Sequence, residues 1–443
     1  MVRTVALHTL GCKVNQYESS YLVETLQQAG YRTVSFRDAA DLYVVHSCAV
    51  TGKAALETRQ LLRRAQRLNP SATVVVAGCD AQIEADRLAQ QKLATHILGS
   101  MEKFDLVRWL EVDGSLAQPC RAVSDSRLYS GFRTLPVTRM AAGRTRAFVK
   151  IQDGCDSFCS YCIVPYSRGQ SRSLPLREVL DQMARFCGCG YREVVLSGIH
   201  LGQWGKDLQP ARSLLDLLKS LERELFPHRL RFSSLETLEW SADLLQHLPS
   251  WPAICHHFHT PLQSGDGDIL KRMGRPYTPR QFAELIWELH SLFPHGALGT
   301  DILVGFPGET EHHFRHTVEL VHRLPLSYLH VFPYSPRPGT EAEKWPGRTT
   351  GNELKRRTRV LRELGMEKRL HFQKAFLGQT VEVLVEAPIA GQPGRYQGMS
   401  HNYLRVNFSA PGDLAPGALV WVKLTRMEKT GLQGELNTKA QAR

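Results

Sequence analysis

The sequence predicts an α/β protein composed of a parallel sheet domain, a central partial (βα)6 barrel and a small antiparallel β-barrel. Three observations support this class. Apolar strands alternate with helices at the start of the chain, the same alternation restarts at Arg146, and short strands with glycine turns follow Phe376. At about 150 residues per domain, the 443-residue chain also has the length of roughly three domains.

Composition and charge narrow the class of protein. Hydrophobic residues make up 42% of the chain and charged residues 22%, as in ordinary globular proteins, which excludes global disorder and collagen-like fibres. No stretch approaches the roughly 18 apolar residues that cross a bilayer, and the N-terminal apolar segment is too short for a signal peptide. We therefore expect a cytoplasmic enzyme without a membrane partner. The formal net charge of +12 is compatible with a polyanionic partner.

The first domain is predicted over residues 1–113 as a parallel sheet covered by helices. Buried strands are expected at 3–10, 42–47 and 72–78, with helices at 17–29 and 51–68. A cysteine follows each strand, namely Cys12, Cys48 and Cys79. Because ligands collect at the carboxyl ends of parallel strands, the three thiols are candidates for a metal site. Packing as small buried side chains is an equally open interpretation, since no tight spacing links the three positions.

The barrel is predicted over residues 141–371, after a basic linker at 114–140. Its strand candidates are residues 147–154, 193–199, 229–236, 256–263, 298–306 and 328–335. The barrel region ends in a basic helix at 352–371. Short strands after this helix predict the antiparallel barrel over 374–440, and small barrels of this type often bind nucleic acid.

The cysteine motif CDSFCSYC follows the first barrel strand. It places Cys155, Cys159 and Cys162 at the spacing C-x3-C-x2-C, so three thiolates can hold one face of an iron–sulfur cluster. Three protein ligands on a cluster of four irons leave one iron open to a small chelating substrate. A structural zinc site is the main alternative, but it needs a fourth ligand, and no second C-x2-C knuckle lies nearby.

The same motif resembles the signature of the radical S-adenosylmethionine (SAM) superfamily, C-x3-C-x-aromatic-C, with Tyr161 as the aromatic residue. The resemblance implies a 4Fe–4S cluster whose open iron binds SAM, and electron transfer that cleaves SAM to a 5′-deoxyadenosyl radical. It also suggests SAM-binding roles for Tyr161 and for Gly198, Glu236 and Val304, of which the last three end later barrel strands. A tight turn at Gly198 and a structural hydrogen bond at Glu236 are the alternatives.

Segments along nearly the whole chain resemble the methylthiotransferase family. They occur in the family's order and are TLGCKVNQYES, HSCAVT, AGCDAQ, LSGIHLGQWG, PLQSGDGDILKRMGRPYT, GTDILVGFPGET and HVFPYSPRPGT. The tail resembles an RNA-binding TRAM domain. The resemblance implies a second 4Fe–4S cluster on Cys12, Cys48 and Cys79, two SAM molecules per reaction, and a first domain docked over the open end of the barrel. His46 and Asp80 depart from the family's pattern without removing a ligand.

Within the family, KVNQYES and SGIHLG look most like the branch that acts on N6-threonylcarbamoyladenosine beside the anticodon of tRNA. That branch adds a methylthio group to carbon 2 of the adenine. The resemblance implies tRNA as a partner, an unidentified sulfur donor, and an unidentified reductant such as flavodoxin or ferredoxin. Methylthiolation of isopentenyladenosine in tRNA, or of a ribosomal-protein aspartate, is the enzymatic alternative. A zinc-containing RNA-binding protein is the alternative without catalysis.

Positive and aromatic side chains of the basic helix and the tail are the candidate RNA contacts. They are Arg357, Arg395, Tyr403, Arg405 and Lys423. Core packing is an open alternative for the aromatic residue. Arg168 and Arg172, just after the cysteine motif, are candidates for contacts with a substrate phosphate or the SAM carboxylate. His257 and His259 share a strand face, but without a carboxylate signature no metal site is predicted there.

Overall fold

The computed structural model describes residues 3–224, 228–428 and 431–437. The predicted α/β class with a terminal small barrel is confirmed. Residues 1–2 of the predicted first domain and 438–440 of the predicted terminal domain lie outside the described residues. Within the described part of the chain, no helix has both the length and the apolar character needed to cross a membrane.

The first domain is a six-stranded parallel sheet with helices on its faces. Its strands are β1 (Thr4–Thr9), β2 (Arg32–Thr33), β3 (Leu42–Ser47), β4 (Thr73–Gly78), β5 (His96–Leu98) and β6 (Cys120–Ala122). Its helices are α1 (Lys13–Gln28), α2 (Gly52–Leu68), α3 (Cys79–Ile83), α4 (Ala85–Gln90) and α5 (Leu106–Trp109). In the order β2-β1-β3-β4-β5-β6, the three strands that precede the cysteines are direct neighbours.

The strand β6 departs from the predicted organisation. It lies inside the predicted linker at 114–140 and pairs in parallel with β5, with Cys120 opposite His96. Residues 120–122 of the predicted linker therefore extend the sheet of the first domain. A three-residue strand carries too little pattern to be recognised in a segment rich in glycine, serine and proline, and it forms here because β5 offers an unpaired edge.

The central domain is a partial barrel of six parallel strands. Its strands and a short accessory pair are β7 (Arg146–Lys150), β8 (Gln152–Asp153), β9 (Arg172–Ser173), β10 (Glu193–Ser197), β11 (Arg229–Phe232), β12 (His257–His259), β13 (Ala297–Val304) and β14 (Tyr328–Pro333). Its helices are α6 (Val164–Arg168), α7 (Leu176–Gly188), α8 (Leu214–Arg223), α9 (Ala242–His247), α10 (Gly267–Arg272), α11 (Pro279–Leu292) and α12 (Glu311–Arg323). The sheets β7-β10-β11 and β12-β13-β14 are joined by a parallel bridge between Leu230 and Ile254.

The terminal domain follows α13 (Gly351–Lys374), the predicted basic helix, which is capped by the side chain of Thr350. Its strands are β15 (Thr380–Pro388), β16 (Arg395–Ser400), β17 (Arg405–Ser409), β18 (Leu419–Glu428) and β19 (Gly431–Leu436). They close in the order β15-β16-β17-β19-β18 around a buried core that includes Val406, Phe408 and Val422. This arrangement is the predicted small barrel, except that β17 and β19 pair in parallel, so the barrel is not wholly antiparallel.

Both flanking domains dock on the central barrel. Tyr17 of α1 is buried in the same hydrophobic cluster as Phe148 of the barrel, and its hydroxyl donates to the carbonyl of Leu135 at 2.6 Å. On the other side, the guanidinium of Arg229 donates to the carbonyl of Glu382 at 2.7 Å and to that of Met399 at 3.2 Å. Sites between domains are therefore built from packed, hydrogen-bonded surfaces.

Candidate active site

The first cysteine set lies in the loop after β8, at the open end of the barrel. Backbone hydrogen bonds shape this loop, because Cys155 N–H donates to the carbonyl of Gly169 at 3.0 Å and Cys162 N–H to that of Cys159 at 2.8 Å. Gly154, which precedes it, has a φ of +75°, and a Cβ there would lie 1.8 Å from the carbonyl oxygen of Gln170. Only glycine allows this approach, so the local sequence fixes where the loop begins.

Two cationic side chains contact the sulfurs of this loop. His200 Nδ1 lies 3.5 Å from Cys155 Sγ, and Arg275 Nη1 donates to Cys159 Sγ at 3.5 Å. Burial lowers the pKa of His200, but hydrogen bonds to Cys155 and Glu239 outweigh it and raise that pKa to about 10. Burial likewise raises the pKa of Cys155, yet the His200 contact brings it below the ordinary thiol value. The His200 contact thus favours the thiolate, the form that binds iron, at Cys155, whereas burial raises the pKa of Cys159 and raises that of Cys162 to about 12.

A cavity of about 800 Å³ adjoins this loop, and we call it the cluster-loop cavity. Its polar lining includes Cys159, His200, Glu236, Glu239 and Arg275. The carboxylate of Glu236 pairs with Arg275, and Glu239 Oε1 lies 2.7 Å from His200 Nε2. Pockets that hold cofactors generally occupy 300–1,000 Å³, so the volume suits a ligand of the size of SAM beside the cysteines.

The four residues predicted to bind SAM lie in different parts of the site. Glu236 lines the cluster-loop cavity. Gly198 lines a neighbouring cavity instead, and a Cβ there would lie 3.0 Å from the side chain of Gln152, so a close approach favours glycine. Tyr161 packs in a small hydrophobic cluster beside the loop. Val304 is fully buried in the barrel core and lines neither cavity, so its SAM contact stays a prediction that neither cavity lining supports.

The second cysteine set meets at one edge of the first sheet. Cys48 and Cys79 are buried, whereas Cys12 is exposed. Gly11 has a φ of +92°, and a Cβ there would lie 2.8 Å from Cys48 Sγ, so the loops that carry Cys12 and Cys48 are in close contact. Burial, followed by the neighbouring Cys79 and Cys12 thiols, raises the pKa of Cys48 to about 12. A bound metal would overcome that barrier to deprotonation.

Neither cysteine set has the compact spacing of a single-ion site. Among the described residues, the groups whose three candidate ligand atoms all lie within 4.8 Å of one another contain no cysteine. Tetrahedral zinc, with Zn–S bonds of about 2.3 Å, would bring its sulfurs to about 3.8 Å from one another. The wider spacing suits a cluster of several metal ions, so the donor atoms fit 4Fe–4S clusters better than zinc.

A second cavity, of about 440 Å³, lies where the three domains meet, and we call it the interdomain cavity. It is lined by Cys12 of the first domain, Gly198 and Asp301 of the barrel, and Tyr403 of the terminal domain. The turn after β10 separates it from the cluster-loop cavity, because Gly198 lines one cavity and His200 lines the other. A substrate in the interdomain cavity would therefore lie beside Cys12 and across this turn from the cavity that Cys159 lines.

A carboxylate that sequence reasoning missed stands beside the histidines of β12. Asp301 Oδ1 on β13 lies 2.9 Å from His259 Nε2 and 3.1 Å from His330 Nδ1. Burial raises the pKa of Asp301, but these two histidines outweigh it and hold that pKa below its ordinary value. The alternation of strand residues brings the three side chains to the inner face of the barrel, and only the pairing of β12, β13 and β14 reveals it.

A buried ion cluster joins the first domain to the barrel behind the cysteines. Its members are Glu18, Lys103, Lys150, Asp153, Arg168 and Arg172. Four cations face two carboxylates, and Arg168 also donates to Asn15 in the first turn after Cys12, at 2.6 Å. The predicted contacts of Arg168 and Arg172 with a phosphate or with SAM are wrong, since both guanidiniums are buried in this cluster. The excess positive charge favours thiolate ligands nearby.

Two predicted RNA contacts lie away from the outer surface of the terminal barrel, one buried and one in a cavity. Arg357 is only 5% exposed, and its guanidinium pairs with Glu309 at 3.0 Å and with Glu353 at 2.8 Å. The ring of Tyr403 stacks on His257 with centroids 4.0 Å apart, inside the interdomain cavity. The guanidinium of Arg357 is thus held by carboxylates of the protein, whereas Tyr403 can meet RNA only inside the interdomain cavity, and both RNA contacts stay predictions.

The remaining predicted RNA contacts lie on the terminal barrel. Arg405 and Lys423 are exposed, whereas Arg395 is half-buried and lies 3.5 Å from the carboxylate of Glu428. Trp421, missed in the sequence, is 37% exposed and is separated from Lys423 by one residue, so both side chains face the same side of β18. This face combines a stacking surface with positive charge.

Comparison with known proteins identifies the family to which the chain belongs. A model described as uncharacterized protein family UPF0004 matches residues 4–99, and the radical SAM superfamily model matches residues 149–321. The threonylcarbamoyladenosine tRNA methylthiotransferase of Thermotoga maritima is 36% identical over 391 residues, which is 87% of each chain. The Bacillus subtilis protein of the same name is 34% identical and covers 96% of this chain and 94% of its own. This chain belongs to the radical SAM methylthiotransferase family.

Other similarities agree with that assignment. The tRNA-2-methylthio-N(6)-dimethylallyladenosine synthase of Syntrophobacter fumaroxidans is 33% identical to this methylthiotransferase over 98% of this chain and 96% of its own. Among solved structures, the radical SAM methyltransferase TsrM of Kitasatospora setae superposes with a TM-score of 0.55 at 15% identity, covering 77% of each chain, which shows a shared fold. The methylthiotransferase is thus a radical SAM enzyme, and the alternative without catalysis is set aside.

Proposed function

We propose that this methylthiotransferase adds a methylthio group to carbon 2 of N6-threonylcarbamoyladenosine in tRNA. Relatives with that activity in their names share 34–36% identity with most of the chain. The observation that carries the proposal is the interdomain cavity, which is lined by Cys12 and lies across the Gly198–His200 turn from the cluster-loop cavity. A substrate base in this cavity would lie beside Cys12 and one turn away from the cavity that Cys159 lines.

The two cysteine sets have separate roles in this proposal. Cys155, Cys159 and Cys162 hold a 4Fe–4S cluster that binds SAM, while Cys12, Cys48 and Cys79 hold a second cluster. The clusters and SAM supply the one-electron chemistry needed to functionalise an aromatic C–H bond, which has no readily removed proton. An external reductant such as flavodoxin or ferredoxin and a sulfur donor are required as further partners.

The protein's own residues orient these groups and control charge. His200 and Arg275 donate to the sulfurs of the first set and balance thiolate charge. Glu236, next to Arg275 in the cluster-loop cavity, is placed to accept a hydrogen bond from a bound ligand. The buried ion cluster holds the first domain against the barrel, so the loop of Cys12 keeps a fixed position over the open strand ends.

The substrate assignment is tested by nucleoside analysis of tRNA from cells that lack this protein. We expect methylthio-N6-threonylcarbamoyladenosine to disappear and its precursor to accumulate, while the isopentenyladenosine derivative is unchanged. Reintroducing the gene should restore the product. Loss of the isopentenyladenosine product instead would assign the enzyme the activity in the name of its 33%-identical relative. An unchanged tRNA pool would reject both substrate assignments.

The exposed face of the terminal barrel is predicted to contact tRNA. Replacing both Arg405 and Lys423 by Gln should weaken tRNA binding and lower the slope of log affinity against log salt by about 1 per lost phosphate contact. Arg280→Gln on the outer helix α11, an exposed arginine paired with Glu284, is the matched control. Filter binding over a salt series measures the effect, and a double variant with unchanged affinity and slope would contradict it.

A further inference from the structure

An unpaired cation faces the interdomain cavity. Lys13 is the first residue of α1, directly after Cys12, and its side chain lines the cavity. It has no ion pair or side-chain hydrogen bond within the described part of the chain, and the charged residues that act on it include the cations Arg146 and Arg231. An ammonium group in such surroundings is incompletely satisfied by protein, which favours an anionic ligand.

The cavity offers no carboxylate that is free to pair with Lys13. Asp301 is the one acidic residue of its lining, and its Oδ1 is shared by His259 and His330 at 2.9 and 3.1 Å. The hydrocarbon side chains of the lining are Val14 and Phe332, and most of the other residues are polar or glycine. The lining therefore suits a ligand that carries a negative group and hydrogen-bonding atoms.

The two candidate nucleosides differ in this respect. The side chain of N6-threonylcarbamoyladenosine ends in a carboxylate and a hydroxyl, whereas the isopentenyl group is a hydrocarbon. A site whose buried polar groups pair with a substrate strongly disfavours an analogue that leaves them unpaired. An isopentenyl group would leave Lys13 without a partner, while the threonyl carboxylate would satisfy it.

We propose that Lys13 binds the threonyl carboxylate of the substrate nucleoside and thereby selects the modified adenosine that the enzyme accepts. The inference rests on the proposed function and adds a specificity-determining residue to it. The aromatic wall formed by Tyr403, stacked on His257, and by Tyr328 gives the base a surface to stack against. Lys13 then fixes the orientation of the base from the side of the first domain.

The test compares two anticodon stem-loop RNAs with reconstituted enzyme. One carries N6-threonylcarbamoyladenosine, and the other carries its carboxamide, which is of nearly equal size without the charge. We expect the wild type to prefer the acid by about 10- to 100-fold in kcat/KM, the range of a charged hydrogen bond. In Lys13→Met that preference should vanish, because kcat/KM should decrease for the acid RNA and stay unchanged for the amide RNA. Lys13→Arg should retain it.

The controls separate this inference from other failures. Lys53→Met, which removes an exposed lysine of α2, should behave as wild type. Iron content of Lys13→Met is measured because Lys13 adjoins Cys12, and if iron is lost, the acid-to-amide ratio of the wild type decides alone. Equal use of acid and amide by the wild type overturns the inference and leaves the proposed function intact. Failure of the wild type on both RNAs, with activity on the isopentenyl RNA, overturns both.

Discussion

Replacing Glu18 by Gln is expected to separate the first domain from the barrel. The Glu18 carboxylate lies 2.8 Å from Lys103 Nζ, 2.9 Å from Lys150 Nζ and 3.0 Å from Arg168 Nη1, and all of these side chains are buried. Removing one charge from a buried ion pair typically costs about 3–5 kcal/mol, because the partners remain without compensation. The cost falls on the docked state, since the separated domains could hydrate these cations.

Thermal unfolding and limited proteolysis measure this effect. We expect a lower midpoint for Glu18→Gln and faster cleavage in the connecting segment between β6 and β7, while the isolated barrel still cleaves SAM. The control is Glu284→Gln, whose carboxylate pairs with Arg280 at 2.7 Å on an exposed helix and should cost about 0–1 kcal/mol. Equal shifts in the two variants would show that the buried ion cluster does not hold the domains together.

The Glu18 carboxylate also makes the stability of the docked enzyme depend on pH in the acidic range. Burial raises the pKa of Glu18, but its three cationic partners outweigh burial and hold that pKa well below the ordinary value of 4.5. A depressed native pKa means that this stability is fully present above pH 4.5 and is lost as the pH falls below it. In Glu18→Gln, the unfolding free energy should therefore fall less steeply over that acidic range than in the wild type.

The fold was largely predictable because its strands are apolar runs bounded by clear stops. LYVVHS was predicted as a strand at 42–47, and β3 covers those residues. Barrel strands were predicted too long at their carboxyl ends, since β11 ends at Phe232 and β12 at His259. Beyond β11, Ser233 and Ser234 line the interdomain cavity and Glu236 lines the cluster-loop cavity, although the sequence there has the pattern of a strand.

The candidate site could be predicted only where its residues lie close together in the sequence. Cys155, Cys159 and Cys162 lie within one loop, so spacing and family resemblance identify them together. His200 and Arg275 lie in the segments LSGIHLGQWG and KRMGRPYT, which resemble the family. Their contacts with the sulfurs of Cys155 and Cys159 could not be predicted, because they depend on how distant parts of the barrel pack together. The ion pair of Glu18 with Arg168 spans 150 positions of sequence, so nothing local marks either residue as an interdomain contact.

Removing each cysteine set separately is expected to abolish methylthiolation in two distinguishable ways. A triple alanine variant of Cys155, Cys159 and Cys162 should lose SAM cleavage entirely. The corresponding variant of Cys12, Cys48 and Cys79 should still cleave SAM but form no methylthio product, because none of the three lines the cluster-loop cavity and Cys12 lines the interdomain cavity. After anaerobic reconstitution, each variant should hold about four irons per chain against about eight in the wild type.

A matched control removes the same number of thiols outside both sets. Cys120, Cys187 and Cys189 are free cysteines away from both sets, and their triple alanine variant should keep the full iron content and both activities. Iron analysis, deoxyadenosine release and nucleoside mass spectrometry then give three independent measurements for each protein. If the variant of Cys12, Cys48 and Cys79 kept the wild-type iron content, the second cluster would be rejected. No other cysteine set of the described residues adjoins the cluster-loop cavity. If SAM cleavage survived without Cys155, Cys159 and Cys162, the roles assigned to the two cysteine sets would therefore be wrong.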